Sequence, residues 1–228
     1  RIVVIGAGVG GLACAIDAAR AGLEVTVLER ARAVGGKMRQ VVPGSAPIDG
    51  GPTVLTMRWV FDELFEDAGA SLESYLPLER VERIARHAWA DGARLDLFTD
   101  VQRSAAAIEA FAGAAEADRY RRFSDYTRRI YETVEGPFIR GDRPTPTTLL
   151  KARGLGVFGA LKDIDSMRSM WRALGGHFRD PRLQQLFGRY ATYCGSSPFD
   201  APATLMLIAH AERAGVWIID GGMHRLAQ

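Results

Sequence analysis

The chain has 228 residues, of which 29 are lysine or arginine and 27 are aspartate or glutamate, so its formal net charge is only +2. This near-neutral balance provides no global field for nucleic acid, and the length suits one large domain or two small ones. Cys14 and Cys194 form neither a metal pattern nor a disulfide framework, and the four histidines share no ligand spacing. We therefore expect no metal centre and no nucleic-acid partner.

The first 29 residues predict a strand, a glycine turn, a helix and a second strand. The apolar run Ile2–Ile5 is followed by a glycine-rich stretch at residues 6–11 and by small residues at helical spacing over 12–22. Val25–Leu28 is the second strand, and Glu29 follows it. This order is typical of the βαβ unit of a Rossmann-like dinucleotide-binding domain.

The glycine-rich stretch has the spacing of a dinucleotide fingerprint. Gly6 permits the tight turn after the strand, Gly8 removes a side chain where a pyrophosphate approaches, and Gly11 lets the helix pack close to the sheet. The amides of Val9 to Leu12 are expected to point at the phosphates, where the helix dipole also favours an anion.

Glu29 stands at the carboxyl end of the second strand, which is the edge where doubly wound sheets bind their ligands. We expect its carboxylate to accept hydrogen bonds from the adenosine ribose hydroxyls and to repel a 2′-phosphate. NADP is therefore disfavoured, while this unit alone leaves NAD and FAD open.

The residues after Glu29 carry a resemblance to a known family. A glycine pair and a basic residue follow at 35–37, and a second glycine pair stands at 50–51. Here the sequence resembles the two-dinucleotide-binding-domain flavoproteins, and most closely the bacterial-type phytoene desaturase family, with residues 51–61 similar to its hydroxyneurosporene and methoxyneurosporene desaturases. The resemblance covers the whole chain, including residues 190–198, 215–217 and 221–223.

The resemblance implies FAD as the cofactor. The implied cofactor-binding residues after Glu29 are Gly36, Lys37, Gly51, Pro52 and Thr53. The glycines suit a backbone close to the cofactor, Lys37 offers positive charge to a pyrophosphate or flavin, and Thr53 offers a hydroxyl. A solvated basic turn is the alternative interpretation for Lys37 and Arg39.

The resemblance also implies the reaction, which is removal of two hydrogens across a saturated carbon pair of an acyclic C40 carotenoid. The expected reaction is C3,4-desaturation of a hydroxy- or methoxy-carotenoid, with the electron acceptor left open. No catalytic side chain is assigned, because charge delocalised along the polyene would assist hydride removal. Family members are longer, so we expect this chain to be the N-terminal part of its enzyme.

The predicted fold class is α/β, a Rossmann-like FAD-binding unit with an inserted, mostly helical domain that carries a small sheet. Residues 1–75 are assigned to the FAD-binding domain, 76–219 to a substrate-binding and helical lid domain, and 220–228 to the return to the FAD-binding domain. Within these limits the patterns predict a helix over 59–69, a hairpin turning at Asp91-Gly92, a helix capped by Ser104 and a helix starting at Asp180-Pro181.

Two features leave alternatives open. The aromatic residues Phe187, Tyr190, Tyr193 and Trp217 could wall a tunnel for a polyene or belong to the core. Residues 149–178 contain apolar residues and Trp171 beside basic residues, which suits a membrane-interface helix or an ordinary packed helix. No apolar run reaches the ~18 residues of a membrane span, so a cytoplasmic protein with peripheral attachment to the inner membrane is expected.

Two other functions remain as alternatives at this stage. One is a flavoenzyme of the amine oxidase type, and the other is a non-catalytic module that binds flavin or lipid. Hydrolysis has no support, because Ser196-Ser197 lacks the flanking glycines of a nucleophile elbow.

Overall fold

The computed structural model describes residues 1–141 and 164–228, which form two compact units. Unit 1 comprises Arg1–Val81 and Gly215–Gln228, and unit 2 lies within Glu82–Ala214. The domain limits predicted from the sequence were after residues 75 and 219. The structural limits differ because the strand Leu78–Arg80 pairs with the strand Trp217–Ile219, so that both belong to unit 1.

Unit 1 contains the predicted βαβ unit and several shorter elements. Its elements are β1 (Ile2–Ile5), α1 (Val9–Arg20), β2 (Val25–Leu28), β3 (Gln40–Val41), β4 (Ile48–Asp49), α2 (Trp59–Asp67), α3 (Leu72–Tyr75), β5 (Leu78–Arg80) and β8 (Trp217–Ile219), followed by a 3₁₀ helix at Met223–Ala227. β1 and β2 are parallel, with Ile2 opposite Val25 and Ile5 opposite Leu28. The pairs β3–β4 and β5–β8 are antiparallel.

The core of unit 1 joins its two ends. Leu55 and Trp217 exchange backbone hydrogen bonds of 2.8 and 2.9 Å, and Ile219 and Met223 pack with apolar residues from the first 81 positions. Cys14, in the helix that follows the glycine loop, is exposed and does not pack beneath that loop. Gly11, one turn earlier, makes the close approach of α1 to β1.

Unit 2 is a hairpin followed by helices, as the sequence predicts. Its elements are β6 (Arg83–Ala88), β7 (Arg94–Phe98), α4 (Val101–Ala112), α5 (Ala114–Val134), a π-helical turn (Glu135–Arg140), α6 (Met170–His177), α7 (Pro181–Gly188), 3₁₀ helices at Arg189–Cys194 and Ala203–Met206, and α8 (Leu207–Ala214). The predicted Asp91-Gly92 turn is confirmed, since Gly92 has φ +84° and joins the antiparallel β6 and β7.

The helix caps of unit 2 were predicted with mixed success. Asp180 caps α7 as expected, with its Oδ1 accepting from the Arg182 amide at 2.8 Å. Ser104 is not the cap of α4, because Asp100 accepts from the Arg103 amide at 2.6 Å. The buried Ser104 hydroxyl instead bonds the backbone of residue 98 at 2.8 and 3.0 Å, closing the turn between β7 and α4.

An aromatic cluster fills the core of unit 2. Phe178 and Phe187 stack with ring centroids 4.9 Å apart, and Phe123 lies edge-on to Phe178 at 5.1 Å. Phe187 and Tyr190 are 1% and 2% exposed, so these two residues belong to the core and do not line a tunnel in this structure. Aromatic pairs of this kind contribute about 0.5–1.5 kcal/mol each beyond burial.

The segment proposed as a membrane-interface helix lies partly outside the described residues, which omit 142–163. In the described part, Leu174 is completely buried in α6 and Trp171 is half-buried. This part therefore has the burial of a packed helix. Among the helices of residues 1–141 and 164–228, none has the length and apolar character needed to span a bilayer.

A buried carboxylate organises one end of unit 2. Glu212 is 4% exposed and accepts hydrogen bonds from Arg189 at 2.6 Å, Tyr190 at 3.0 Å and Tyr193 at 2.6 Å. Burial, and then the bond to Glu212, raise the pKa of the Tyr193 phenol to about 12. The tyrosines therefore act here as neutral hydrogen-bond donors.

The lowered pKa of the buried His177 predicts how the stability of unit 2 depends on pH. It lies against the rings of Phe123 and Tyr126, and burial, followed by the charge of Arg168, lowers its pKa from 6.5 to about 4. The unfolded chain binds a proton as the pH falls through 6.5, whereas the folded protein does not until about 4, so stability is lost across this window.

We expect His177→Phe in the full-length protein to reduce this acid sensitivity. At about pH 5 the histidine should cost about 2 kcal/mol of unfolding free energy, which the phenylalanine variant does not lose. Thermal denaturation at neutral pH and at about pH 5 measures the difference. An equal loss of stability in both proteins would show that His177 does not cause it.

Candidate dinucleotide-binding site

The glycine turn after β1 presents free amides at the start of α1. Gly6 has φ +98°, and Gly8 is the extended N-cap residue of the 12-residue helix, without a side-chain cap. Within residues 1–141 and 164–228, no acceptor takes the amides of Val9, Gly10 and Gly11. The prediction is wrong for Leu12, whose amide donates to the Gly8 carbonyl at 2.9 Å as the first bond of the helix. Such an N-terminus is suited to an anion such as a pyrophosphate.

The glycines of the turn differ in the space around them. A β-carbon added to Gly8 or Gly10 would meet nothing within 4 Å, whereas one added to Gly11 would lie 2.0 Å from the Gly6 carbonyl oxygen. Gly11 is therefore needed for packing, and the backbone at Gly8 is open to a ligand. Both observations support the roles predicted for these residues, and the turn fits a dinucleotide.

Glu29 is held beside the turn by two backbone amides. Its Oε2 accepts from Ala7 and its Oε1 from Ala31, each at 2.7 Å. These hydrogen bonds, with Ala31 first and Ala7 second, lower the pKa of the Glu29 carboxyl. Glu29 is thus oriented as an anion, and each oxygen keeps acceptor capacity for a ribose hydroxyl.

The second glycine segment lies directly beside the turn. The Gly35 amide donates to the Ala7 carbonyl at 2.7 Å, and Gly35 pairs with Gly8 in a parallel bridge. A β-carbon on Gly36, which has φ +58°, would lie 3.2 Å from the Gly8 Cα. The structure therefore brings Gly36 against the predicted pyrophosphate turn.

The third glycine segment packs on the second. A β-carbon on Gly51 would lie 1.9 Å from the Lys37 carbonyl oxygen, so the two backbones can touch only because residue 51 is glycine. Pro52 and Thr53 follow Gly51 and are exposed. Lys37 is also exposed, and no salt bridge within the described ranges, 1–141 and 164–228, engages it.

Asp49 and Gln40 hold the returning chain against this site, and sequence reasoning assigned them no role. Both Asp49 carboxylate oxygens accept from the Met223 amide at 3.1 Å, and Gln40 Nε2 donates to the Gly221 carbonyl at 2.6 Å. A β-carbon on Gly222 would lie 2.8 Å from Asp49 Oδ1. The only sequence signal for these contacts is that Asp49 and Met223 each adjoin a glycine pair, at residues 50–51 and 221–222.

An apolar groove of about 930 Å³ lies on another side of α1. Its walls come from α1, α2 and the last residues of the chain, among them Leu12, Ile16, Phe61, Phe65 and Leu226. Arg225 is the one charged residue in this lining. The groove therefore brings together few groups that could carry out chemistry, and the candidate site remains the glycine turn with Glu29.

Metal chemistry has no arrangement of side chains to support it in the described ranges. Residues 1–141 and 164–228 contain no group of three or more histidine, cysteine, aspartate or glutamate side chains placed to hold a metal ion.

The geometry defines a Rossmann-like dinucleotide-binding protein, and residues 4–67 match the NAD(P)-binding Rossmann-like domain family. Over its full length the chain is 52% identical to hydroxyneurosporene desaturase of Rubrivivax gelatinosus and 49% identical to that of Cereibacter sphaeroides. It is 33% identical, again over its full length, to 4,4'-diapolycopene oxygenase of Methylomonas sp. In sequence, the chain is therefore similar to carotenoid desaturases along its whole length.

The chain spans about half the length of the relatives it matches, covering 44%, 46% and 46% of these three proteins.

Solved structures show the same fold. A putrescine oxidase aligns with 99% of this chain and 47% of its own at a TM-score of 0.63 and 16% identity. A fatty acid isomerase from P. acnes aligns with 100% of this chain and 48% of its own chain, at a TM-score of 0.55 and 15% identity. The predicted α/β fold class is thereby confirmed.

The contrast between Gly10 and Gly11 can be tested by stability. We expect Gly11→Ala to lower the unfolding free energy of the full-length protein by about 1–3 kcal/mol, because its β-carbon would overlap a backbone oxygen. Gly10→Ala adds the same methyl group to open space and should raise it by about 0.5–1 kcal/mol. Chemical denaturation measures both. Equal effects of the two substitutions would contradict the close contact at Gly11.

Proposed function

We propose that the whole protein is an FAD-dependent oxidoreductase that desaturates an acyclic carotenoid. The observation that carries the proposal is the 52% identity to a hydroxyneurosporene desaturase, which extends along the entire chain. The glycine turn and Glu29 add an independent physical basis, because their geometry suits the adenosine and pyrophosphate part of a dinucleotide.

The glycine turn, Glu29 and the later glycine segments would each bind a different part of FAD. The amides at Val9, Gly10 and Gly11 would bind the pyrophosphate, and Glu29 would bind the adenosine ribose. The segments that contain Gly36, Lys37, Gly51, Pro52 and Thr53 would continue the site towards the flavin. FAD would supply the two-electron redox chemistry, while the protein binds and orients both partners and excludes water.

NAD in place of FAD is the competing assignment for the same turn. The stack of three glycine segments favours FAD, because close backbone contacts link the turn at Gly8 to Gly36 and the Lys37 backbone to Gly51. A dinucleotide site that served only NAD would need the turn and the ribose acid alone. The additional backbone contacts are accounted for by a longer cofactor that extends past the turn.

The finer assignments rest on the relatives. We propose C3,4-desaturation of a hydroxy- or methoxy-carotenoid, because the two relatives at 52% and 49% identity are hydroxyneurosporene desaturases, whereas the diapolycopene oxygenase shares only 33%. Because such a polyene dissolves in lipid, we also propose a cytoplasmic enzyme attached peripherally to the inner membrane. The electron acceptor is left open.

The full-length protein, produced in a host that accumulates acyclic hydroxy-carotenoids, tests the function. We expect a bound flavin spectrum and a product with one more conjugated double bond, detected as a red-shifted absorption spectrum and a mass lower by two hydrogens. An oxygenated product would favour the oxygenase relatives, and oxidation of amines alone would favour an amine oxidase. Flavin without turnover of any polyene or amine would favour a binding module.

Glu29→Gln tests the cofactor assignment separately from the substrate. Losing the charge removes charge-assisted hydrogen bonds worth about 1.5–3 kcal/mol, so the FAD dissociation constant should rise by about ten- to a hundredfold. Flavin fluorescence during titration of the apoprotein gives this constant. Glu24→Gln, in the exposed turn before β2, is the matched control and should bind FAD normally.

The pH dependence gives a second readout of the same residue. Because the pKa of Glu29 is lowered, the wild-type carboxylate should stay charged, and FAD affinity should hold, as the pH falls to the ordinary range of a glutamate. Unchanged FAD affinity in Glu29→Gln would remove Glu29 from the site without deciding which substrate is used.

A further inference from the structure

The hairpin between β3 and β4 is unusual for an exposed loop because it has no charged residue. Residues 41–48 read Val-Val-Pro-Gly-Ser-Ala-Pro-Ile, and all eight are exposed. The exposed fractions of Val41, Val42 and Ile48 are 43%, 62% and 51%. A cluster of exposed branched apolar side chains at a loop tip indicates a surface that meets an apolar environment.

Positive charge flanks this tip on its N-terminal side. From residue 30 to residue 48 the chain has four basic residues and no acidic one. Arg32, Lys37 and Arg39 are all exposed, and none takes part in a salt bridge in the described ranges, 1–141 and 164–228. Arg39 stands at the base of the hairpin, where its carbonyl accepts from the Gly50 amide at 2.7 Å.

The hairpin is also preorganised. Gln40 pairs with Asp49 and Val41 with Ile48, and Asp49 is tied to the Met223 amide. Prolines at positions 43 and 47 restrict the loop and remove two backbone donors that an apolar medium would leave unsatisfied. Little conformational entropy would therefore be lost on docking.

We infer that residues 41–48 dock the protein on a bilayer that contains anionic phospholipid, with the tip among the acyl chains and Arg39 at the headgroups. A lipid surface fits better than a protein partner, because eight residues fall short of the roughly 800 Å² per partner that a stable protein interface buries. Basic residues beside an uncharged apolar tip also match the negative surface potential of such a membrane.

This inference deepens the membrane attachment proposed above, on which it rests, by naming the surface that makes it and the lipid it meets. Binding to vesicles requires neither FAD nor a carotenoid, so it can fail separately from the proposed redox function. It also assigns membrane contact to unit 1 rather than to the helical segment at 149–178. The described part of that segment is packed, with Leu174 buried. The hairpin has the opposite property, because every residue of its tip is exposed.

Co-sedimentation of the full-length protein with vesicles tests the inference. We expect binding to vesicles of phosphatidylglycerol mixed with phosphatidylcholine and much weaker binding to phosphatidylcholine alone. Val42→Ser should weaken the partition coefficient by about five- to tenfold. Arg39→Gln should weaken it by about fivefold on the anionic vesicles only. Met167→Ser, which removes an even more exposed apolar side chain from unit 2, should bind like the wild type.

Two further readouts keep the result unambiguous. Flavin content and circular dichroism of Val42→Ser should equal those of the wild type, which separates a docking defect from misfolding and from failure of the cofactor assignment. Equal vesicle binding by Val42→Ser and wild type would overturn the inference. So would a change in oligomeric mass of Val42→Ser without a change in vesicle binding, because the tip would then serve a protein contact.

Discussion

The candidate site depends on the two peptide groups of Ala7. The Ala7 amide donates to Glu29, and the Ala7 carbonyl accepts from Gly35, each bond being 2.7 Å long. Ala7 itself is 1% exposed. One buried residue therefore connects the glycine turn, the acid at the end of β2 and the second glycine segment. Both bonds use backbone groups of residue 7. They therefore permit any side chain that fits at this position but require the backbone to keep its path.

From Ala7 outward, the site is built by backbones that touch where a β-carbon is absent. Gly11 approaches Gly6, Gly36 approaches Gly8, and Gly51 approaches Lys37. Each contact places one segment on the previous one, so an error in one would displace the segments that follow. This explains how glycine segments outside the βαβ unit can present an ordered surface. Gly11, Gly36 and Gly51 are therefore required for packing, whereas Gly8 leaves the backbone open to a ligand.

The sequence predicted those parts of the fold that local patterns determine. The βαβ unit, the Asp91-Gly92 hairpin and the Asp180 cap follow from periodicity and turn chemistry within a few residues. Ser104 was misassigned because a serine before an alanine-rich run is a local signal for a cap, whereas its hydroxyl closes a turn to the preceding strand. The cap is Asp100, four residues before Ser104, which accepts from the Arg103 amide.

Contacts between distant residues had no such signal. Asp49 and Met223 are 174 residues apart, and Gln40 and Gly221 are 181 apart. Nothing in the spacing of residues near Asp49 predicts which amide its carboxylate will accept. The resemblance to a family located both segments but did not connect them. The connection is a property of the folded chain, because it depends on how β3 and β4 meet the segment after residue 214.

The Glu212 cluster shows why a motif shared with a family need not contain reacting groups. Tyr190 and Tyr193 lie in one of the stretches that carry the resemblance, and as tyrosines within the predicted substrate domain they suggest contact with a polyene. In the structure both phenols donate to Glu212, and so does Arg189. Removing one partner of a buried ion pair typically costs about 3–5 kcal/mol. A structural role in folding is therefore sufficient to account for these residues. Of the two tyrosine rings, Tyr190 is enclosed, so only the exposed side of Tyr193 is open to contact with a ligand.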